Sequence, residues 1–334
     1  MKPVVAITIG DYNGIGPEVA LRAAALAPVR RICTPLLVGP AEVFARVAAK
    51  LRLPLRLRPW QEGDPRAEAA AVLDTAGDIP LRYAPGKLSA EAGAAAGAAI
   101  RAAVALVMRH DADAVVTAPV SKQALHLAGI DTPGQTELLQ RLTHAPHVAM
   151  MLVAGALRVG LVTIHIPLKN VARELTGSLI AERIRVIHRA LVTDWGVARP
   201  RIAVLALNPH AGEGGDIGSE EQRVIIPAMD ALRKERIALA GPFPADAFFS
   251  RGVPEAYDAV VAMYHDQGLI PLKMAGRGTA VNVSAGLPLV RTSPDHGTAF
   301  DIARRLEADA SSMARAIGTA VAIASRRRTR RPRT

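Results

Sequence analysis

Aromatic residues and cysteine are scarce in this chain of 334 residues: aromatics make up 3% of it, and Cys33 is its one cysteine. A single cysteine excludes a disulfide framework and a zinc site built on cysteine ligands, and it predicts a cytoplasmic protein. With so few aromatics, the 50% hydrophobic content has to come from Ala, Val, Leu and Ile. Such small aliphatic residues suit helices packed on a buried, largely parallel sheet.

The sequence also lacks the pattern of a signal peptide or a membrane span. The apolar run Val4–Ile9 stops at Gly10 and Asp11, which is too short for the apolar region of a signal peptide. The longest apolar stretch, residues 92–108, is rich in alanine and contains Arg101. We therefore expect a buried helix there and no membrane partner.

Much of the formal net charge of +11 lies at the C-terminus, where the last ten residues contain six arginines. Without these arginines the chain carries +5. The composition of residues 326–334 predicts a disordered basic tail, either a solvated extension or a non-specific contact for polyanions. Because no aromatics are interleaved with the remaining positive charge, we expect an anionic small substrate and no specific nucleic acid.

Short β-prone runs alternate with helical segments along most of the chain. The predicted strands are 4–9, 35–39, 113–118, 148–154, 159–164, 202–207, 259–263, 280–283 and 289–290. The predicted helices are one opening at Pro17, then 41–51, 90–108 with Ser89 as N-cap, 180–191, 220–235, 299–306 and 310–323. This alternation predicts an α/β protein whose parallel or mixed sheet is covered on both faces.

A glycine-rich loop at residues 10–18 lies between the first strand and the first helix, as a dinucleotide-binding turn would. The G-x-G-x-x-G spacing is missing, and Asp11 and Glu18 would oppose a phosphate. We predict no pyrophosphate site here. A tight turn that needs positive φ is the alternative explanation for its glycines.

Three histidines follow predicted strands, and that edge of an open α/β sheet is where ligands bind. His165 follows the strand at 159–164, and His265 follows the strand at 259–263. His210 lies in a second glycine-rich loop, residues 208–218, before a predicted capping box at Ser219–Gln222. Three imidazoles would suit a divalent ion such as zinc or cobalt. The alternative for each histidine is a structural hydrogen bond.

Polar residues downstream of His265 suggest an anion pocket. Lys273 follows a short apolar turn, Asn282 ends a later strand, and Arg291 follows another. Arginine offers a planar fork and lysine a point charge to a carboxylate or phosphate. Each of these residues on its own would be an ordinary surface group.

At these residues the sequence resembles the 4-hydroxythreonine-4-phosphate dehydrogenase family. The similarity runs from Ile7 to Ala303 and is carried by short segments in a fixed order. These segments are Gly14-Ile15-Gly16-Pro17-Glu18, Thr117-Ala118-Pro119, Asn208-Pro209-His210-Ala211-Gly212-Glu213, Tyr264-His265-Asp266-Gln267-Gly268 and Ser293-Pro294-Asp295-His296-Gly297-Thr298.

The resemblance implies an α/β fold of two α/β/α subdomains with mixed sheets, like isocitrate and isopropylmalate dehydrogenases, with the active site in the interdomain cleft. We expect one subdomain at residues 1–125 plus 300–325, and a second at 126–299 that carries the metal ligands and the dimer interface. The resemblance also implies a homodimer with a shared active site.

The resemblance further implies metal-dependent oxidation of 4-phosphohydroxy-L-threonine by NAD or NADP. The product, 2-amino-3-oxo-4-phosphooxybutanoate, would decarboxylate to 3-amino-2-oxopropyl phosphate. Matching positions imply that a divalent metal (Zn, Mg or Co) is held by ligands from both subunits, and they imply four substrate-binding residues, to which Gln135 is added as a fifth candidate. Lys273 is also a catalytic candidate, and Asp246 is a weaker one. The metal ligands are His165, His210 and His265, and the substrate-binding residues are Gln135, Thr136, Lys273, Asn282 and Arg291.

The segment Gly134-Gln135-Thr136-Glu137 departs from the family, which usually has histidine before the threonine. A neutral glutamine cannot offer an imidazolium to the substrate. The substrate could therefore be 4-phospho-threonate, 4-phospho-erythronate, or another related hydroxy acid or dihydrodiol. Separate alternatives are a metal-dependent decarboxylase or acyl-phosphate transferase that does not use NAD, and an inactive paralogue that acts as an interaction protein. Lys273 is either a proton-transfer group or a phosphate contact.

Overall fold

The computed structural model describes residues 2–250 and 256–330 and divides the chain into two compact units. The first unit comprises Met1–Ala145 and Leu287–Thr334, and the second comprises Pro146–Gly286. The predicted α/β fold is confirmed.

The strands, in chain order, are β1 (Val4–Thr8), β2 (Thr34–Val38), β3 (Arg58–Pro59), β4 (Ala71–Leu73), β5 (Ala114–Thr117), β6 (Ala149–Ala154), β7 (Leu157–Leu161), β8 (Arg201–Leu205), β9 (Ala238–Phe243), β10 (Ala259–Ala262), β11 (Val281–Ala285) and β12 (Arg291–Pro294). The helices are α1 (Gly16–Ala25), α2 (Ala27–Ile32), α3 (Ala41–Leu51), α4 (Ala90–Met108), α5 (Lys122–Leu127), α6 (Gln135–Thr143), α7 (Val171–Glu174), α8 (Gly177–Thr193), α9 (Ile226–Lys234), α10 (Ala245–Ser250), α11 (His265–Gly276) and α12 (Ser311–Arg330).

The sheet of the first unit has the order β3-β4-β2-β1-β5-β12, and all of these pairs are parallel. Strands β1, β2 and β5 are buried along their whole length, which explains why their sequences are continuous apolar runs. Helices α4 and α12 pack on this sheet. The Ser89 hydroxyl caps α4 by accepting the Ala92 N–H at 3.1 Å.

By length and composition α4 could cross a membrane, but 61% of its most apolar window is buried inside the protein. Burial of that kind is also found in the core helices of water-soluble folds. Gly93 allows the close approach of α4 to α5, because a Cβ at this position would collide with the Ala124 carbonyl oxygen. The buried helix predicted from the sequence is confirmed.

The sheet of the second unit has the order β11-β6-β7-β10-β8-β9 and is mixed. The pairs β11/β6 and β6/β7 are antiparallel, whereas β7, β10, β8 and β9 run parallel. Its core is aliphatic and includes Leu152, Leu161, Leu205 and Leu272. The carboxyl ends of β7, β10 and β8 therefore lie at one edge, and the three candidate metal ligands follow these ends.

The unit boundaries differ from those expected. Helix α6 packs on α4, and β12 pairs with β5. These contacts place residues 126–145 and 287–299 in the first unit, so Gln135, Thr136 and Arg291 belong there and not to the second subdomain.

Three local predictions were wrong. The helix predicted at 299–306 is replaced by turns at residues 300–305, because Ala299 and Leu306, on either side of them, have positive φ. The strand predicted at 289–290 begins at Arg291. The segment from residue 326, expected to be disordered, continues α12 to Arg330, where positive side chains favour the helix C-terminus. Residues 331–334 lie outside the described residues.

Candidate functional site

His165 and His265 approach each other at the carboxyl edge of the second unit's sheet. Their ring centroids are 5.8 Å apart, with 42° between the ring planes. Both line a cavity of about 480 Å³. Its walls are formed by Ile164, His165, Ile166, Leu168, Val171, Tyr264, His265 and Asp266. The arrangement places two imidazole rings at an open space that a small molecule can enter.

The carboxylate of Asp266 fixes the orientation of the His265 ring. Its Oδ1 lies 2.6 Å from His265 Nδ1. With an ionised Asp266, Nδ1 carries the proton and donates it, so the lone pair of the neutral imidazole is on Nε2. A carboxylate on the second ring nitrogen is the usual setting of a metal-ligating histidine.

His210 lies on a turn with an unusual backbone. Five successive residues, 210–214, have φ between +42° and +77°. Three of them carry side chains, His210, Ala211 and Glu213, and a left-handed conformation costs such residues roughly 1–2 kcal/mol each. Stored strain of this kind is typical of functional sites.

The buried carboxylate of Glu221 holds this turn. Its Oε1 accepts the N–H groups of Leu207 and Asn208 at 2.7 and 2.8 Å, and its Oε2 accepts the Asn208 side-chain amide at 2.9 Å. Glu221 is 1% exposed and begins a π-helical turn, Glu221–Ile225. The capping box predicted at Ser219–Gln222 is wrong, because Gln222, which would close it, instead donates its side-chain amide to the Gly214 carbonyl at 2.7 Å.

Within residues 2–250 and 256–330, no group of three or more His, Cys, Asp or Glu side chains is arranged to hold a metal ion. A single chain thus brings His165 and His265 together and leaves His210, which is exposed, outside such a group. The donor chemistry nevertheless fits a divalent ion, since two imidazoles face one cavity and one of them has a carboxylate on its second nitrogen.

The other candidates of the second unit differ in environment. Lys273 on α11 and Asp246 on α10 are exposed. Asn282, expected at a strand end, is the second residue of β11, and its Oδ1 is buried without a hydrogen-bond partner in the described structure. A buried acceptor of this kind is costly unless a ligand donates to it.

The first unit contains a second polar cluster around Arg291, which is 3% exposed. Its Nε and Nη2 donate to the Thr117 hydroxyl at 3.2 and 2.7 Å, and Nη2 also donates to Gln135 Oε1 at 3.2 Å. Burial lowers the pKa of Arg291 to about 10, partly opposed by the charge of Glu137. The guanidinium is therefore a buried cation, directed in part by the Gln135 amide.

Gln135 and Thr136 are the first two residues of α6, a helix without a side-chain cap. The positive end of the helix dipole therefore lies beside Arg291, and both favour an anion. Thr136 is half-buried.

The glycine-rich turn at residues 10–16 is buried, and Gly10 has φ of +70°. The positive φ expected of the loop's glycines is therefore found at Gly10, whereas Gly14 and Gly16 lie where an added Cβ would collide with Thr298 and Ile9. Burial raises the pKa of Asp11 to about 6, although the N–H groups of Asn13 and Gly14 lower it in part. Its Oδ2 is buried without a partner in the structure as described.

A family model described as "Pyridoxal phosphate biosynthetic protein PdxA" matches residues 31–320. The chain belongs to this family.

The 4-hydroxythreonine-4-phosphate dehydrogenase of Acidithiobacillus ferrooxidans is 44% identical over 330 residues, which cover 98% of each chain. The D-threonate 4-phosphate dehydrogenase of Cupriavidus necator is 44% identical over 328 residues, covering 97% of this chain and 98% of that one. A crystal structure of 4-hydroxythreonine-4-phosphate dehydrogenase from Klebsiella pneumoniae is similar, with 42% identity and a TM-score of 0.86 over 97% and 98% of the two chains. The resemblance seen in the sequence is confirmed.

Two residues of this PdxA-family chain, Glu221 and Gln267, bind the backbone close to the histidines but were not predicted as site residues. Glu221 has a weak local signal, because an acidic residue that follows a glycine-rich loop is able to reach back to that loop. The same residues, Ser219–Gln222, also match the capping-box pattern. Gln267 lies within the Tyr264–Gly268 segment. Its side chain accepts the Met263 N–H and donates to the Ala206 carbonyl, and the second partner is 61 residues away, so no local pattern predicts it.

Proposed function

We propose that this chain is a divalent-metal-dependent dehydrogenase that oxidises 4-phosphohydroxy-L-threonine with NAD or NADP. The product would be 2-amino-3-oxo-4-phosphooxybutanoate, which loses CO₂ to give 3-amino-2-oxopropyl phosphate. The observation that carries the proposal is the His165–His265 pair at an open cavity, in a chain 44% identical over nearly its whole length to a dehydrogenase named for that substrate.

His165, His210 and His265 are the proposed ligands of a Zn, Mg or Co ion. The 5.8 Å between the ring centroids of His165 and His265 is short enough for both imidazoles to hold one ion, and His210 would be the third ligand. When bound, such an ion supplies Lewis-acid stabilisation of negative charge developing on the substrate oxygen.

Each polar cluster has a proposed part in substrate binding. In the first unit, Arg291 and Thr136 bind an anionic group, and Gln135 orients the guanidinium through its 3.2 Å hydrogen bond. In the second unit, the unpartnered Oδ1 of Asn282 accepts a hydrogen bond from a substrate hydroxyl or ammonium. Lys273 Nζ either transfers the proton of the reacting hydroxyl or contacts phosphate, and the exposed Asp246 is the weaker catalytic candidate.

A homodimer is the proposed assembly. Ile270 and Met274, one turn apart on α11, are 59% and 74% exposed, and Leu168 is 72% exposed. Because the described part of one chain contains no three-ligand group, a second copy is the partner that would both cover these apolar side chains and complete the ligand set.

The cytoplasm is the proposed compartment. Cys33, the one cysteine, is buried. Burial raises the pKa of its thiol to about 12, so it is an inert core residue and not part of an oxidised framework.

The test is reduction of NAD or NADP by the purified protein with 4-phosphohydroxy-L-threonine, with D-threonate 4-phosphate as the comparison substrate. We expect turnover that a chelator abolishes and a divalent ion restores. His210→Ala should lose both bound metal and turnover while keeping the fold, whereas His126→Ala, an exposed histidine of the first unit, should keep all three. Full activity of His210→Ala in the presence of chelator would remove the metal from the proposal.

A further inference from the structure

A continuous chain of hydrogen bonds connects the ends of β7, β10 and β8 in the second unit. The Thr163 hydroxyl donates to the Met263 carbonyl at 2.7 Å. The Met263 N–H donates to Gln267 Oε1 at 2.7 Å, and Gln267 Nε2 donates to the Ala206 carbonyl at 2.6 Å. We call these four residues the amide frame.

Each segment held by the amide frame leads directly to one of the histidines. Thr163 lies two residues before His165, and Met263 two residues before His265, while Ala206 opens the segment that leads to His210. The frame thus fixes the three backbone segments from which the proposed ligands project, without itself touching an imidazole in any described contact.

A glutamine side chain is suited to this place because it donates and accepts at once without charge. Its oxygen takes a backbone N–H and its nitrogen gives to a backbone carbonyl, so replacing either atom removes a bond. Helix α11 cannot move closer to the sheet to compensate, since Gly268 already lies so close to it that an added Cβ would be 2.6 Å from Val159 Cγ1.

We infer that Gln267 is a positioning residue that sets the spacing of His165, His210 and His265 for metal binding. The inference rests on the proposed function, because it assumes that these histidines bind a divalent ion. It goes beyond that proposal in giving metal affinity a determinant that is not itself a ligand and whose described hydrogen bonds go to Met263 and Ala206. Partners that orient ligands typically contribute 10–100-fold to metal affinity.

The decisive variant is Gln267→Glu, which keeps the size and the acceptor for Met263 N–H but sets a carboxylate oxygen against the Ala206 carbonyl. The probe is Co²⁺ added to metal-stripped full-length protein, followed by calorimetry and by the visible absorption of the ion. We expect at least tenfold weaker Co²⁺ binding and an altered absorption band, with unchanged circular dichroism. Gln123→Glu, an exposed residue of α5, introduces the same charge in the first unit and should bind Co²⁺ like the wild type.

Thr163→Val gives a second test should Gln267→Glu not fold, because it removes the other side-chain link at constant volume. It should also weaken Co²⁺ binding, and Thr163→Ser, which keeps the hydroxyl, should restore it. Wild-type affinity in folded Gln267→Glu, or in Thr163→Val, overturns the inference and leaves the proposed function standing. A wild-type protein that binds no Co²⁺ overturns both, so the two failures are distinguishable.

Discussion

Replacing Glu221 by glutamine should destabilise the protein by releasing the left-handed turn that carries His210. The carboxylate accepts three hydrogen bonds, from the N–H groups of Leu207 and Asn208 and from the Asn208 side chain, at 2.7–2.9 Å. A glutamine in the same rotamer keeps one acceptor atom and turns an NH₂ group towards the Asn208 amide, so donor faces donor.

The magnitude follows from the bonds lost. One buried hydrogen bond to a charged acceptor contributes roughly 1.5–3 kcal/mol, and the remaining bonds to a neutral oxygen are weaker. The turn itself stores roughly 3–6 kcal/mol, counted as 1–2 kcal/mol for each of its three residues with side chains. We expect Glu221→Gln to lower the free energy of unfolding by about 2–3 kcal/mol and to accelerate amide exchange in residues 208–215.

Urea denaturation gives the free energy, and hydrogen exchange followed by mass spectrometry gives the local effect. The matched control is Glu220→Gln, because Glu220 is only half-buried and its described side-chain bond is a single one, to Asn208 at 2.7 Å. That control should change stability by less than about 1 kcal/mol. If Glu221→Gln unfolds like the wild type and its loop exchanges no faster, the carboxylate does not hold the turn.

Three further predictions concern pH, specificity and assembly. Because burial raises the pKa of Asp11 to about 6, the folded state binds this proton more tightly than the unfolded chain. The free energy of unfolding should therefore fall as the pH rises from about 4 to about 6, by up to about 3 kcal/mol, and Asp11→Asn should lack this fall. If urea denaturation gave the same pH dependence of the unfolding free energy for both proteins, the prediction would be contradicted. Gln135→His should raise kcat/KM for 4-phosphohydroxy-L-threonine relative to D-threonate 4-phosphate by about tenfold, the worth of one hydrogen bond, and an unchanged ratio would show that this position does not set specificity. Ile270→Ser with Met274→Ser should weaken the dimer by at least about tenfold in sedimentation experiments, whereas Met108→Ser, 50% exposed in the first unit, should not; equal dissociation constants would place the interface elsewhere.

Local sequence signals predicted those helices whose formation depends mainly on local causes, such as helical periodicity and capping. Residues 41–51 and 90–108 form helices with the predicted bounds, because long helical periodicity and a serine N-cap leave little competition. Helix α11 was missed, since Gly268 and Pro271 interrupt its pattern. Its packing on β7 and β6 overrides the low intrinsic propensity.

The features of the candidate site, too, divide into those that the local sequence predicts and those that depend on tertiary contacts. The sequence by itself determined that His165, His210 and His265 follow strands of an α/β protein, because apolar runs ending in polar residues mark the carboxyl ends of strands. Only the tertiary structure decided that His165 and His265 face one cavity, that Arg291 is buried against Thr117 and Gln135, and that Glu221 and Gln267 hold the histidine segments. Such contacts join residues far apart in the chain, and their partners are chosen by strand order and packing, which no local pattern of residues encodes.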